Sequence, residues 1–256
     1  MIGVFDSGVG GLAVLAEIRR LMPESDLTYV ADRARAPYGT RTLTEVREFS
    51  IDVADWLIEA GATTLVVACN TASAAALDML RERFPETPVV GMEPAVKPAA
   101  VASASGIIGV FATEATFQGE LFETVVSKHA SHVRIETMAR PDWVELVESG
   151  RTDGPEVQAL IKAGVEPVIE SGADTLVLGC THFSFLEDAI AEAAGPDARV
   201  INPATAVAAQ TARVTDASPG LGKLALVASG DLEEFEGLVR FLSRLENCLP
   251  ALPFPS

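Results

Sequence analysis

Short apolar runs rich in β-branched residues alternate with longer segments of helical period along almost the whole chain. The runs that predict strands are residues 2–5, 27–31, 64–68, 89–92, 107–111, 133–137, 175–179, 200–202 and 223–228. Strands that alternate with helices pair in parallel and are covered by helices on both faces. The pattern therefore predicts an α/β fold with mostly parallel sheets.

Residues 43–60 give the clearest predicted helix. Thr42 and Glu45 have capping-box spacing, and apolar residues from Val46 to Leu57 fall on one face. Gly61 can take the left-handed conformation that ends a helix. We expect this segment to be a structural helix.

Two stretches of the chain repeat, and one repeat ends in cysteine both times. Residues 61–69 read GATTLVVAC and residues 172–180 read GADTLVLGC, while IGVF at 2–5 recurs at 108–111. Such echoes predict two α/β lobes of like build, related by a pseudo-two-fold axis. We expect a cleft between them, with Cys69 on one side and Cys180 on the other.

The lobes are not separated by a linker or a low-complexity segment. We expect residues 1–95 and 206–256 to form the N-terminal lobe and residues 96–205 to form the second lobe. Residues 250–256 contain three prolines and are expected to form an ordered or frayed tail.

Composition excludes several classes of protein. A formal net charge of −17 without a basic cluster argues against nucleic-acid binding. The chain shows neither a secretory signal pattern nor an apolar run that could span a bilayer, so we expect no membrane contact and a cytoplasmic location. Cysteines at 69, 180 and 248 form neither a disulfide ladder nor a CxxC pair, and only three histidines are present, so no metal site is expected.

Polar motifs follow the ends of several predicted strands. Ligands bind at these ends in parallel sheets, because helix N-termini there present unpaired N–H groups. One common site is therefore the simplest interpretation of the motifs, which are Asp6-Ser7, residues 32–40, Cys69-Asn70-Thr71, residues 113–116 and Cys180-Thr181-His182.

A dinucleotide site is one alternative for the first motif. Residues 8–13 read GVGGLA after a strand, and Asp32 follows a second strand, as in a nicotinamide-binding fold. Asp6 directly precedes this loop, however, and its carboxylate would repel a pyrophosphate. A third interpretation is a tight strand-to-helix turn without ligand.

The paired cysteines are the stronger chemical signal. A lone cysteine at a strand end is usually a small buried hydrophobe, and Cys248, expected in a C-terminal helix, has that interpretation. Cys69 and Cys180 instead stand in matching contexts, each followed by hydrogen-bonding residues. A helix N-terminus lowers the pKa of a thiol, so reactive thiolates near neutral pH are predicted.

At the level of motifs, the chain resembles the glutamate racemases along nearly its whole length. The motifs are DSGVGGL at 6–12, ARAPYGTRT at 34–42, CNTAS at 69–73, CTH at 180–182 and SGDLEEFEGL at 229–238. The resemblance implies a cofactor-independent enzyme that interconverts L- and D-glutamate and supplies D-glutamate for peptidoglycan synthesis. Relatives often form homodimers, so a homodimer is also expected.

The resemblance also implies roles for individual residues. Cys69 and Cys180 are the implied acid/base pair, assisted by Asp6, His182 and Glu148, with Glu148 orienting His182. The implied substrate contacts are Asp6, Ser7, Pro37, Tyr38, Gly39, Asn70, Thr71, Thr113, Thr116, Thr181 and His182.

Departures from the family pattern concern neither thiol. Arg33 stands where threonine is usual, Arg140-Pro141 replaces Cys-Pro, Phe183-Ser184 replaces Tyr-Pro, and Met92 replaces isoleucine. Relatives that act on aspartate have an acidic residue at the position of His182, so glutamate is the expected substrate and aspartate the alternative.

Two other functions are alternatives. A pyridoxal enzyme would need a Schiff-base lysine in a cofactor setting. A catalytically silent relative would act through protein contacts.

Overall fold

Two parallel sheets organise the chain. The computed structural model describes residues 1–216, 220–243 and 250–254. The first sheet consists of β1 (Ile2–Asp6), β2 (Leu27–Ala31), β3 (Thr64–Val67), β4 (Val89–Gly91), β9 (Leu224–Ala228) and β10 (Leu252–Pro253), and the second of β5 (Ile107–Ala112), β6 (Arg134–Ala139), β7 (Thr175–Leu178) and β8 (Arg199–Ile201). Their strand orders are β10-β9-β2-β1-β3-β4 and β6-β5-β7-β8. The predicted α/β class with parallel sheets is confirmed.

Helices cover both sheets. They are α1 (Leu12–Leu21), α2 (Leu43–Glu59), α3 (Asn70–Arg83), α4 (Val96–Ala102), α5 (Glu114–Gln118), α6 (Glu120–His129), α7 (Pro141–Glu148), α8 (Pro155–Glu170), α9 (Glu187–Ala194), α10 (Ala204–Val214) and α11 (Leu232–Leu242). Short 3-10 helices occupy Arg33–Arg35, Tyr38–Thr40 and Thr181–Leu186. None of the described helices is both long and apolar enough to cross a membrane.

The sequence repeat corresponds to a repeat of topology. The order β2-β1-β3-β4 in the first sheet matches β6-β5-β7-β8 in the second. The register also matches, because Gly3 pairs with Leu65 in one sheet and the equivalent Gly109 pairs with Leu176 in the other. The chain therefore contains two similar lobes, as the echoes predicted.

The predicted helix α2 forms for the reasons read from its sequence. The Glu45 N–H donates to the Thr42 hydroxyl at 3.2 Å, and the Thr42 N–H donates to the Glu45 carboxylate at 3.0 Å. Gly61 has a φ of +95°, which ends the helix in the left-handed region. Val53 and Leu57 on the inner face are fully buried, and each such side chain contributes about 1.5–3 kcal/mol of burial free energy.

The C-terminal segment contains a strand that the sequence analysis did not predict. Leu252–Pro253 within the expected tail adds a parallel edge strand to β9, and the Phe254 ring packs edge-on against Trp56 at 5.5 Å. A strand of two residues is too short to show an alternating pattern in the sequence. Proline is tolerated in an edge strand because one side of that strand pairs with no neighbour and needs no N–H donor. Cys248 lies outside the described residues.

The lobe boundaries stay a prediction. The strands of the first sheet fall within residues 1–95 and 206–256, and those of the second within 96–205. The expected boundary at 205/206 lies inside α10, which packs against α1 of the first lobe.

Candidate active site

A cavity of about 350 Å³ lies where the strand ends of the two lobes meet. Its wall is formed by residues that follow the carboxyl ends of β1, β2 and β3 in one lobe and of the equivalent β5, β6 and β7 in the other. The residues predicted from sequence that line it are Ser7, Pro37, Tyr38, Gly39, Cys69, Asn70, Thr71, Thr113, Cys180, Thr181 and His182. Both thiols therefore face one cavity.

Cys69 lies at the N-cap of α3, directly after β3. Its sulfur accepts the Ala72 N–H at 3.5 Å and lies 3.8 Å from the Ser7 hydroxyl. Burial raises the pKa of the Cys69 thiol to about 12, and the Asp6 charge adds to this rise, while the Ala72 N–H opposes it. The sequence-based expectation of a lowered pKa is wrong for Cys69, because one backbone donor does not offset the loss of solvent.

Cys180 has a different electrostatic neighbour. Its sulfur lies 3.7 Å from His182 Nδ1, and His182 Nε2 lies 2.7 Å from Glu148 Oε1. Burial alone would lower the pKa of His182, but its hydrogen bonds with Cys180 and Glu148 outweigh burial and raise that pKa well above the usual value. The geometry thus favours an imidazolium beside the Cys180 sulfur.

Glu148, at the end of α7, holds that histidine. Oε1 also accepts the Val9 N–H at 2.9 Å, and Arg33 lies beside Oε2. Burial would raise the pKa of Glu148, but the hydrogen bond from His182, the His182 charge, the Val9 N–H and the Arg33 charge lower it on balance. The expected contact between Glu148 and His182 is present in the structure.

Asp6, at the end of β1, is fully buried. Its Oδ1 accepts the Gly8 N–H at 2.7 Å and its Oδ2 accepts the Thr181 hydroxyl at 2.9 Å. Burial raises the pKa of Asp6, and the His182 charge and these two hydrogen bonds offset this rise only in part. The bond to Thr181 joins the two lobes at the base of the cavity.

Three threonine hydroxyls form a cluster across the cleft. Thr71 Oγ1 lies 2.9 Å from Thr113 Oγ1, which lies 2.9 Å from Thr116 Oγ1. Thr71 lies in the first turn of α3 of the first lobe, whereas Thr113 is the N-cap of α5 in the second. Hydroxyls of this kind can both donate and accept, so the cluster can reorient toward a carboxylate.

Tyr38 and Gly39 form another wall of the cavity. The Tyr38 hydroxyl makes a short hydrogen bond to the buried Asp32 carboxylate, which also accepts from Arg35 at 2.6 Å. A Cβ added at Gly39 would lie 2.9 Å from Thr113, so only glycine allows this approach between the lobes.

The glycine loop after β1 does not have the surroundings of a dinucleotide site. A Cβ at Gly8 would lie 1.9 Å from the Glu148 carboxylate, and one at Gly10 would lie 2.5 Å from His182 and from Thr181. The space that a pyrophosphate would need is filled by side chains of the second lobe. Close packing between the lobes is therefore the reason for these glycines.

Some predicted residues do not line the cavity themselves. Asp6, Thr116 and Glu148 reach it through hydrogen bonds with Thr181, Thr113 and His182, which do line it. Thr40, Glu114 and Ala115 also line it and lie within the predicted motifs 32–40 and 113–116, whereas sequence reasoning missed Arg41, Gln118, Pro141, Val144 and Glu145. The repeat could have located the last three, because they follow β6, the counterpart of β2.

Sequence comparison identifies a family and named relatives. The Asp/Glu/Hydantoin racemase family matches residues 2–211. A glutamate racemase from Roseiflexus sp. is 46% identical over 94% of this chain and 91% of its own length.

Solved structures are similar over the whole fold. The glutamate racemase of Bacillus anthracis has a TM-score of 0.89 at 31% identity and covers 100% of this chain and 97% of its own. The Escherichia coli glutamate racemase in complex with L-glutamate and the activator UDP-MurNAc-ala has a TM-score of 0.86 at 30% identity, covering 98% of this chain and 96% of its own. The chain belongs to the Asp/Glu/Hydantoin racemase family.

Proposed function

We propose that this protein is a cofactor-independent glutamate racemase in which two thiols exchange the α-proton. The observation that carries the proposal is that Cys69 and Cys180, from equivalent strand ends of two similar lobes, line one cavity. Relatives named glutamate racemase cover most of the chain, including one solved with L-glutamate. The D-glutamate formed would serve peptidoglycan synthesis, and a cytoplasmic homodimer stays our prediction.

The reaction needs a base on one face of the α-carbon and an acid on the other. One sulfur, as thiolate, takes the α-proton and becomes a thiol, and the electron pair of the C–H bond stays on the carbon as a carbanion. The opposite thiol then gives its proton to the other face and becomes the thiolate. The roles of Cys69 and Cys180 reverse with the direction of reaction.

Substrate binding is the step that can activate Cys69. Because its pKa is about 12, Cys69 is a neutral thiol at neutral pH in the described structure. An amino acid brings an ammonium group, and a positive charge near Cys69 and Asp6 favours their charged forms. This coupling favours thiolate formation at Cys69 in the complex with substrate.

The developing carbanion also needs stabilisation, since an amino-acid α-proton is far less acidic than a thiol. The first turn of α3, which begins with Asn70 and Thr71, presents backbone N–H groups at the cavity. We propose that these donors hold the α-carboxylate. Held in this way, the α-carbon lies between the two sulfurs.

Racemisation in deuterated water tests the function directly. Incubation of L-glutamate with the purified protein, without added cofactor, is expected to give D-glutamate carrying deuterium at the α-carbon. Chiral chromatography and mass spectrometry measure both quantities, and aspartate in a parallel reaction tests the alternative substrate. Well-folded protein that racemises neither amino acid would contradict the proposal.

Single-thiol variants test the assignment of the two bases. Cys69→Ser and Cys180→Ser are each expected to lower kcat in both directions by about a thousandfold, because a hydroxyl is a far weaker acid than a thiol. Thermal unfolding midpoints serve as the control for folding. Mild and equal losses in both variants would exclude the thiols as the bases.

A further inference from the structure

Arg33 occupies a position between the two lobes next to the active site. It begins the 3-10 helix after β2, and its side chain is only 11% exposed. Its Nη2 lies 3.0 Å from the Glu234 carboxylate, and its Nη1 donates to the Asp231 carbonyl at 3.3 Å. Its Nε lies 3.5 Å from Glu148 Oε2 in the second lobe.

We propose that Arg33 is a positioning residue for the Cys180 half of the site, holding Glu148 so that Glu148 keeps the His182 ring beside the sulfur. This inference rests on the racemase function proposed above. It extends the line of contacts from Cys180 through His182 and Glu148 to a residue on the opposite lobe.

The two oxygens of Glu148 have separate tasks. Oε1 accepts from His182 Nε2 at 2.7 Å and from the Val9 N–H at 2.9 Å. Oε2 faces the Arg33 guanidinium. This 3.5 Å contact is electrostatic, since Arg33 Nε makes no hydrogen bond with the described residues, and a cation beside a carboxylate favours its ionised form. Loss of Arg33 would therefore weaken the group that orients His182.

Arg33 is itself fixed on the side away from Glu148. Glu234 and Asp231 belong to the start of α11, where the Asp231 side chain caps the helix by accepting the Glu234 N–H at 3.0 Å. The guanidinium therefore bridges α11 of the first lobe and α7 of the second. A planar donor group with several N–H bonds suits such a bridge better than a single ammonium.

The charges around Arg33 determine whether its loss raises or lowers the pKa of Glu148. It lines a second cavity, of about 340 Å³, in which the other charged or titratable lining residues are Glu145, Glu148, His182 and Glu234. Three carboxylates thus face this space, and the positive charge of Arg33 offsets their repulsion. Removing that charge should raise the pKa of Glu148, because the Arg33 charge is one cause of its lowered value.

The position of Arg33 also predicts which kinetic constant changes. Among the described residues, those that line the 350 Å³ cavity do not include Arg33, so the side chain acts through Glu148 rather than on substrate. A positioning residue of this kind affects kcat more than KM. Because L- and D-glutamate have equal free energies, kcat/KM must change equally in both directions.

Arg33→Gln and Arg33→Lys test the inference. Arg33→Gln is expected to lower kcat about tenfold, to change KM less than about twofold, and to move the acidic limb of the kcat/KM profile to higher pH. Arg33→Lys keeps the charge and is expected to restore the acidic limb. Steady-state racemisation from about pH 3.5 to about pH 9, a range that begins below the usual pKa of a glutamate, measures all three effects.

Two matched controls separate this effect from a general loss of charge or stability. Arg151→Gln removes an exposed arginine that pairs with Glu156, and it should leave the profile unchanged. Glu234→Gln removes the carboxylate that pairs with Arg33 on the side away from Glu148. The Arg33 charge then acts more strongly on Glu148, so the acidic limb of the kcat/KM profile should not move to higher pH. If Arg33→Gln does not fold, Arg33→Met, which removes the same charge with an unbranched side chain, takes its place and is expected to move the acidic limb in the same direction.

The outcomes distinguish the two proposals. Wild-type protein without racemase activity would refute the proposed function. Active wild type together with an unchanged profile in Arg33→Gln, or an acidic limb that Arg33→Lys does not restore, would refute the role of Arg33 alone. A shift of the limb in Glu234→Gln to higher pH would also overturn it.

Discussion

At the scale of single residues, the two thiols have opposite electrostatic surroundings. Cys69 lies near the buried Asp6 carboxylate, which helps to raise its pKa, whereas Cys180 lies 3.7 Å from an imidazole whose pKa is raised. Sequence equivalence of the two cysteines thus does not mean equal chemistry. The differences come from the neighbours that each lobe brings to the cleft.

Asp6 is expected to reduce the stability of the protein while supporting its activity. The pKa of Asp6 is raised in the folded state, so its contribution to stability is fully present below the unfolded pKa and is lost as pH rises through the folded pKa. At pH 8 the buried carboxylate is therefore a cost to the folded state. Asp6→Asn should therefore raise the melting temperature at pH 8 by about 2–4 °C, with a smaller gain toward pH 4. Racemisation should fall about a hundredfold, because the charge that can attract the ammonium group is gone. Calorimetry and the chiral assay measure these effects.

Asp26→Asn is a control of opposite sign. The Asp26 carboxylate accepts the backbone N–H groups of Lys223 and Leu221, which lower its pKa. Its stabilising effect is present above the unfolded pKa and is lost as pH falls, so this variant should melt at a lower temperature at pH 8 and keep its activity. A lower melting temperature for Asp6→Asn at pH 8 would contradict our assignment.

At the scale of elements, the turn between β1 and α1 connects fold and site. Its backbone approaches the second lobe so closely that side chains are excluded at Gly8 and Gly10. The Val9 N–H in the same turn donates to Glu148. The turn therefore positions the His182 and Glu148 pair through its backbone, which explains the glycines without a nucleotide.

Gly10→Ala tests this role of the turn. The added methyl group would meet His182 Nδ1 and Thr181 Oγ1 at 2.5 Å, so we expect a loss of about 1–3 kcal/mol in unfolding free energy and a fall in kcat of at least about tenfold. Denaturant unfolding and racemisation assays measure the two losses.

Gly237→Ala provides the matched control for that substitution. Gly237 lies inside α11, where an added Cβ meets no atom within 4 Å. Alanine is favoured over glycine in a helix interior, so this variant should gain about 0.5–1 kcal/mol and keep full activity. Similar losses in both variants would show that the turn at Gly10 has no special role.

At the scale of the whole molecule, the cavity depends on both lobes. Contacts such as Thr181 to Asp6 and Thr71 to Thr113 join them around the site. A ligand in the cavity touches both lobes and binds only the folded chain, so it stabilises the whole molecule. The free energy gained is about 2.7 kcal/mol at a ligand concentration of 100 times Kd.

Both enantiomers of glutamate are expected to raise the melting temperature. Cys69→Ser is the suitable protein, because blocked interconversion keeps L- and D-glutamate separate during the experiment. At saturation each should raise the midpoint by about 5 °C or more, since the two lobes contribute similar walls. L-Lysine, which lacks a second carboxylate, is the control ligand. A shift with one enantiomer alone would contradict a cleft that accepts both.

The repeat and the strand pattern of the sequence determined much of this protein. Alternating apolar and helical segments predict the α/β class, because each element must bury one face. The echoes ending in Cys69 and Cys180 predict two lobes, since equal strand patterns form equal sheets. The strand-end motifs also indicate one site, because the carboxyl ends of parallel strands lie at one edge of a sheet.

The tertiary structure alone decided which groups meet and how they are charged. Neither the contact of Arg33 with Glu148 nor the packing of Gly10 against His182 follows from local sequence, because each joins residues of different lobes. The raised pKa of Cys69 depends on burial and on Asp6, and both are long-range properties of the fold. Local sequence determines which elements form, whereas desolvation and contacts between lobes set the chemistry of the site.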